Sequence, residues 1–114
     1  MSGIKALQPV LVGGDSYKHV AAGQTGAKLG GATAGKNDFL ARLVVTVATA
    51  ATSTVTVYDG DPAGDDEVTV LTIAANTPIG VYEFEVGVRS VVGAFHVTTA
   101  AGASVLAVGQ FGGV

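Results

Sequence analysis

Short runs of alternating apolar and polar residues recur along the chain, separated by turn residues about every 8 to 14 positions. Such alternation predicts β-strands, because successive side chains of a strand point to opposite faces. The strands predicted from this pattern are 17–22, 39–49, 53–58, 67–74, 81–88, 94–99 and 103–109. No segment keeps a helical apolar period, so little or no helix is expected.

This series of about six or seven short strands predicts a single all-β domain, an antiparallel β-sandwich of jelly-roll or immunoglobulin-like topology. A length of 114 residues leaves too little chain for a second core. Residues 1–16, which contain Pro9, are expected to form an extended N-terminal arm, and residues 17–114 the sandwich. Residues 23–38 are rich in glycine and without periodicity, which predicts a long flexible loop.

The faces of the predicted strands differ in polarity. In strand 81–88 the apolar residues alternate with Glu83 and Glu85, whereas strand 39–49 is apolar on both sides. Strict alternation in the latter places these residues together on one face: Phe39, Ala41, Leu43, Val45 and Val47. The opposite face then carries Leu40, Arg42, Val44 and Thr46. In strand 94–99 it places Phe95 and Val97 on one face and His96 on the other.

The surface is expected to be poor in charge. Charged residues make up 13% of the sequence, and none stands between Arg42 and Asp59 or between Glu67 and Glu83. Soluble monomers rarely expose large apolar patches, and they guard free strand edges with charge or proline. We therefore expect other protein to cover much of this surface, in a homotrimer or a lattice; a soluble monomer with a threonine-rich surface is the alternative. The interface candidates are Ile4, Leu7, Val10, Leu11, Gln24, Leu29, Lys36 and Phe111.

Charge and cysteine content exclude several classes of function. Six Lys and Arg against nine Asp and Glu give a formal net charge of −3, which argues against a nucleic-acid partner. There is no cysteine, so disulfides and Cys-ligated metal sites are excluded. No stretch is continuously apolar enough for a membrane-spanning helix, and no signal peptide or membrane partner is expected.

One glycine-rich stretch approaches a phosphate-binding loop. Gly30, Gly35 and Lys36 match the spacing of that loop, but Asn37 stands where a Ser or Thr hydroxyl binds Mg²⁺. The stretch also leads into a predicted strand instead of a helix. We interpret it as an ordinary loop, and no cofactor is expected.

The acidic segment 59–67 is the one metal candidate in the sequence. Its five carboxylates, which are the type of ligand that Ca²⁺ prefers, are Asp59, Asp61, Asp65, Asp66 and Glu67. Aligned with a helix–loop–helix calcium loop, however, Ala63 and Val70 occupy two ligand positions. A solvated hairpin turn is the favoured interpretation, and a calcium site of another type is the alternative.

No catalytic constellation is predicted. Glu83 and Glu85 share one face of a strand, where a solvent-facing or partner-facing pair is expected, with Arg42 or Arg89 as an ionic partner across the strands. The two histidines, His19 and His96, cannot form a catalytic zinc site by themselves. The chain is therefore predicted not to be an enzyme.

Two segments of the sequence carry distinctive turn and strand motifs. The first is a strand motif carried by Asp38, Leu40, Leu43 and Val45. The second is a closing hairpin matched by Val86, Gly87, Val88, Arg89, Ser90, Gly93, Phe95, Val97, Thr98, Thr99, Ser104 and Val105. Together these motifs resemble a family of small tailed-bacteriophage virion structural proteins of the capsid decoration (cement) type, and the resemblance covers roughly residues 20–110. The chain departs from the pattern at 100–102, where Ala-Ala-Gly replaces a single glycine turn.

The resemblance implies a virion component without catalytic residues. The leading hypothesis is a homotrimeric decoration protein on the capsid exterior, which contacts the major capsid protein and stabilises neighbouring capsid subunits. The alternative is a β-sandwich recognition module of a head fibre or tail that binds a host surface glycan.

Overall fold

The computed structural model describes residues 16–30, 35, 37–64 and 66–112. It contains β1 (Ser16–Val20), β2 (Ala27–Lys28), β3 (Phe39–Val47), β4 (Val55–Asp59), β5 (Val68–Ile73), β6 (Gly80–Arg89), β7 (Phe95–Thr99) and β8 (Ala103–Gln110). A single 3-10 turn, Ala50–Thr52, links β3 to β4. The predicted strands are confirmed, with shifts of a few residues at their ends, and β2 is an addition.

The strands form two four-stranded antiparallel sheets, and the predicted sandwich is confirmed. Sheet A has the order β1-β8-β3-β6, and sheet B the order β2-β7-β4-β5. The first strand pairs with the last, the second with the seventh, the third with the sixth and the fourth with the fifth. This nested pairing across two sheets is the topology of a jelly roll, and it differs from the strand grouping of an immunoglobulin domain.

The core lies between the sheets and consists mainly of branched aliphatic side chains. Such residues pack well on a pleated surface, which is why the alternating runs of the sequence fold as strands. The fully buried members include Leu43, Val45, Val57, Val97 and Val105. Tyr82, Phe84 and Val86 of β6 pack against this core but remain partly exposed.

A β-bulge changes which residues of β3 face the core. Arg42 pairs with Val108 of β8, whereas Leu40 pairs with the next residue, Gly109, so Ala41 is an extra residue on β3. The bulge resets the alternation, and Leu40 is fully buried beside Leu43 in the core cluster. The expectation that Leu40 lies on the face opposite Leu43 is therefore wrong.

Gly109 allows the close approach of β8 to β3 at this bulge. A Cβ atom at position 109 would overlap the carbonyl oxygen of Phe39. Only glycine avoids this overlap without a shift of the backbone.

The described part of the predicted loop 23–38 is largely tied to sheet B. The backbone N–H of Gly23 donates to the Ala100 carbonyl at 3.0 Å, and that of Leu29 donates to the Phe95 carbonyl at 2.8 Å. These contacts hold residues 23–30 along β7 and place β2 at the edge of the sheet. The expectation of one long free loop is wrong for this part, while residues 31–34 and 36 lie outside the described residues.

The predicted N-terminal arm lies outside the described residues except for Ser16, which begins β1. In the part of the chain that the structure describes, no helix is long and apolar enough to cross a membrane.

Candidate functional site

The acidic segment begins with a carboxylate that has a structural role. Asp59 ends β4 and is 8% exposed. Its two carboxylate oxygens accept hydrogen bonds from the backbone N–H groups of Val91, Val92 and Gly93, at 2.8 to 3.3 Å. This side chain fastens the connection between β6 and β7, and its oxygens are already engaged by N–H donors.

The remainder of the segment forms a tight turn. Oδ1 of Asp61 accepts the N–H of Ala63 at 2.9 Å, and its carbonyl accepts the N–H of Gly64 at 2.9 Å. Asp66 is exposed and Glu67 half-buried, while Asp65 lies outside the described residues. Among the residues that the structure describes, no group of three or more His, Cys, Asp or Glu side chains is placed to hold a metal ion. The local geometry is that of the favoured hairpin turn.

A polar cavity of about 550 Å³ lies between this turn and the outer face of sheet B. The polar side chains that line it are both basic and acidic: Lys28, Asp61, Asp66, Glu67 and His96. The rest of the wall consists of small or apolar residues: Gly35, Gly60, Gly64, Val92, Gly93 and Ala94. Below, it is called the polar cavity. The loops before β3, after β4 and before β7 therefore meet at one end of the sandwich.

His96 is the most buried polar side chain of the polar cavity, with 8% of its surface exposed. Its Nδ1 lies 2.9 Å from the Ala94 carbonyl oxygen, so Nδ1 carries the proton and donates to that oxygen. Nε2 is then the ring nitrogen available to a ligand. Lys28 and Tyr58 are the cross-strand neighbours of His96 on β2 and β4.

The side of the sandwich at β5 and β6 is open. These strands are edges of sheets B and A, and a groove of about 460 Å³ runs between them. Its lining consists of Val70, Leu71, Phe84, Val86 and Val88, together with Glu83 and Glu85. Below, this region is called the open side. Sequence reasoning missed it, because the alternation of β6 was visible whereas its edge position was not.

Large apolar side chains are exposed close to the open side. Ile79 and Val81, at the start of β6, are 71% and 69% exposed, and Val68 of β5 is 54% exposed. Val91, just after β6, is 73% exposed. Several apolar residues therefore face solvent around the same edge of the isolated chain.

The expected ion pair across the strands is confirmed for Arg42. Its guanidinium lies 3.2 Å from Oε2 of Glu83 on the outer face of sheet A. Arg89 has a different role: its guanidinium lies 5.1 Å from the centre of the Phe39 ring and donates to the Asn37 carbonyl at 3.1 Å.

The interface candidates fall into three groups. Leu29 and Phe111, 0% and 5% exposed, belong to the core of the chain itself and form no part of its surface. Gln24 is exposed beside β7. Ile4, Leu7, Val10, Leu11 and Lys36 lie outside the described residues.

The glycine-rich stretch before β3 is held by a buried carboxylate. Asp38 accepts the N–H of Gly35 at 3.1 Å and that of Gly112 at 3.2 Å. The hydroxyl of Ser90 accepts the N–H of Asp38 and donates to the Gly35 carbonyl at 2.7 Å. The stretch leads directly into β3, as the loop interpretation expects.

The chain matches no protein-family model and no curated protein sequence. Among solved structures it is similar to one described as "CBM4 structure and function", with 17% sequence identity and a TM-score of 0.27. The similarity covers 86% of this chain and 81% of that chain. Likeness at this level carries no argument about function, and the fold assignment rests on the strand order given above.

Proposed function

We propose that the chain is a non-enzymatic virion structural protein, a capsid decoration protein that bridges and stabilises neighbouring capsid subunits. It acts on the capsid exterior as a homotrimer, with the major capsid protein as its partner. The observation that carries this proposal is the open side, where two strand edges and an apolar groove stand exposed in the isolated chain.

The open side is poorly guarded against association. β5 contains no charged residue and no proline, and β6 has only Glu83, Glu85 and its terminal Arg89. Strand edges of this kind readily pair with another chain. Covering the exposed apolar side chains contributes roughly 2.5 kcal/mol for each 100 Å² removed from water.

A decoration protein can bind the capsid stably through contacts that are individually weak, because the same contact is repeated in each subunit of the trimer. A trimer that touches several capsid subunits at once binds through multiple sites, and its overall affinity exceeds that of each single contact. Polar groups that are turned inward, such as the carboxylate of Asp59, rigidify the loops of each subunit. A rigid bridging subunit loses little conformational entropy when it binds.

Labelling of whole particles tests the proposal. Antibodies against the folded chain, applied to phage particles whose genome encodes it, are expected to decorate the head uniformly in electron micrographs. Particles that carry no label contradict a place on the virion surface. Label confined to the tail or to fibres contradicts the decoration role and favours the alternative.

The alternative is a recognition module that binds a host glycan, and the polar cavity favours it. Carboxylates and an imidazole nitrogen accept hydrogen bonds from sugar hydroxyls, and Lys28 donates them. A glycan array probed with the wild type and with His96→Ala tests this function, with His19→Ala as the matched control. Binding lost only in His96→Ala supports it, and an array without any bound glycan contradicts it.

A further inference from the structure

Sheet A has two free edges that differ in character. In the described part of the chain, β1 pairs only with β8 and β6 only with β3, so each exposes one unpaired side. The β1 edge carries Tyr17, Lys18 and His19, all exposed. The β6 edge carries the exposed acids Glu83 and Glu85. One edge is therefore aromatic and basic, and the other is acidic.

We infer that the β1 edge of one copy pairs with the β6 edge of the next copy, so that sheet A continues head to tail through the oligomer. The occupant of the acidic edge of the open side is a second copy of this chain. The inference rests on the proposed function in one respect, since both require self-association. It specifies which edges meet.

The strand directions agree with this pairing. Each neighbour in sheet A is antiparallel, so across its four strands β1 and β6 run in opposite directions. When copies are related by rotation about an axis parallel to the strands, each strand keeps its direction along that axis in every copy. Under such a rotation, β6 of one copy meets β1 of the next in antiparallel fashion. Because the two edges are different surfaces, the contact is heterologous, and under a three-fold rotation it closes into a ring of three copies.

The side chains at the two edges also lie at matching levels. One row across the outer face of sheet A starts at Tyr17 and ends at Glu85, passing through Val108 and Arg42. The next row starts at His19 and ends at Glu83. Continued without a stagger, the sheet places Tyr17 opposite Glu85 of the next copy, and His19 opposite Glu83.

Shape favours the same contact. Tyr17 is 57% exposed, and Gly87, two residues beyond Glu85 on β6, has a φ of 65° with open space where a side chain would stand. An aromatic side chain on a neighbouring strand covers such an edge glycine well. The Tyr17 ring of the next copy has room above Gly87.

Charge disfavours the main rival, a two-fold pairing of β6 with β6. That arrangement brings Glu83 and Glu85 against the same carboxylates of the second copy, and like charges directly opposite each other destabilise a sheet. Against β1 the two acids meet Tyr17 and His19 instead, neither of which carries a negative charge. The acidic edge is therefore complementary to β1 and not to itself.

Disulfide cross-linking tests the pairing, because the natural chain contains no cysteine. The main variant combines Tyr17→Cys with Glu85→Cys, and a second combines His19→Cys with Glu83→Cys. Within one copy these positions are three strand spacings apart, about 14 Å, which is too far for a disulfide. Lys18→Cys with Glu85→Cys is the matched control, since its two positions lie on opposite faces of the sheet. Circular dichroism confirms that each variant is folded.

In the two same-face variants, Tyr17→Cys with Glu85→Cys and His19→Cys with Glu83→Cys, the paired positions lie on one face of the sheet. We expect most chains of at least one of them to cross-link into closed oligomers. The single-cysteine variants and the control should stay monomeric on denaturing gels. Cross-linked dimers of a single-cysteine variant overturn the inference in favour of a two-fold pairing. Absence of cross-links in both same-face variants, with a wild type that still self-associates, overturns the edge pairing alone. If the wild type does not self-associate and the two same-face variants form no cross-links, the proposed homotrimer is overturned as well.

Discussion

The carboxylate of Asp59, at the end of β4, lies 2.8 Å from the backbone nitrogen of Val91, just beyond β6. One buried side chain thus ties the last residue of a strand in sheet B to the connection that leaves sheet A. Its two oxygens accept hydrogen bonds from three consecutive backbone N–H groups, those of Val91, Val92 and Gly93.

Replacement of Asp59 by alanine is expected to destabilise the fold strongly. Hydrogen bonds to a charged group contribute about 1.5 to 3 kcal/mol, and the unpaired N–H groups add a desolvation cost, so a loss of about 3 kcal/mol is expected. Urea unfolding followed by circular dichroism measures it. Asp61→Ala, which removes one exposed turn contact, is the control and should cost less than about 1 kcal/mol. Equal losses for the two variants would contradict the assigned role of Asp59.

Gly109→Ala is expected to destabilise the protein through backbone overlap. The added methyl group meets the Phe39 carbonyl at the bulge, so β8 must move away from β3. Overpacking of this kind costs typically about 1 to 3 kcal/mol. Gly35→Ala, where open space surrounds the Cβ position, is the control. Thermal unfolding should show a clear drop in Tm for Gly109→Ala alone, and an unchanged Tm would show that the bulge tolerates a side chain.

The Arg42–Glu83 pair is expected to contribute little. Glu83 is largely exposed, and solvent screens the attraction at 3.2 Å. A double-mutant cycle with Arg42→Ala and Glu83→Ala should give a coupling energy of about 0.2 to 1 kcal/mol, which falls further at high salt. A coupling well above this range would mean that the pair is shielded from water.

Leu29→Ala distinguishes a core residue from an interface residue. Leu29 is fully buried, so truncation should cost about 2 to 5 kcal/mol of unfolding free energy. The mass measured in solution should equal that of the wild type under conditions where the variant remains folded. Gln24→Ala, at an exposed position, is the control for stability. A variant of full stability that no longer self-associates would restore Leu29 as a contact residue.

Sequence patterns predicted the strands well and the register less well. The alternating runs identified the longer strands and the sandwich, because period-two burial is local and repeats over several residues. β2 spans only two residues, Ala27–Lys28, which is too short for any period. The burial of Leu40 depends on the bulge at Ala41, and a bulge arises from pairing with β8 that no local pattern records.

The site was harder to predict than the fold, for a related reason. Asp59 appeared in the sequence as one acid among five, and only the tertiary structure turns it towards Val91. The edge position of β6 likewise follows from the order of the strands in sheet A. Leu29 was expected at a surface because it stands in a glycine-rich stretch without periodicity. The hydrogen bond from its backbone N–H to the Phe95 carbonyl, which holds it against β7, cannot be inferred from that stretch.

The central claim is that the open side, where β5 and β6 leave apolar side chains in solvent, is covered by further protein when the chain performs its role. Size-exclusion chromatography with light scattering, which measures the mass of the wild-type protein in solution, tests it most directly when it is repeated over a range of protein concentrations. We predict a mass close to three times the 11.2 kDa of one chain. A mass of one chain at every concentration would contradict the homotrimer, and with it the covering of the open side by further copies of the chain.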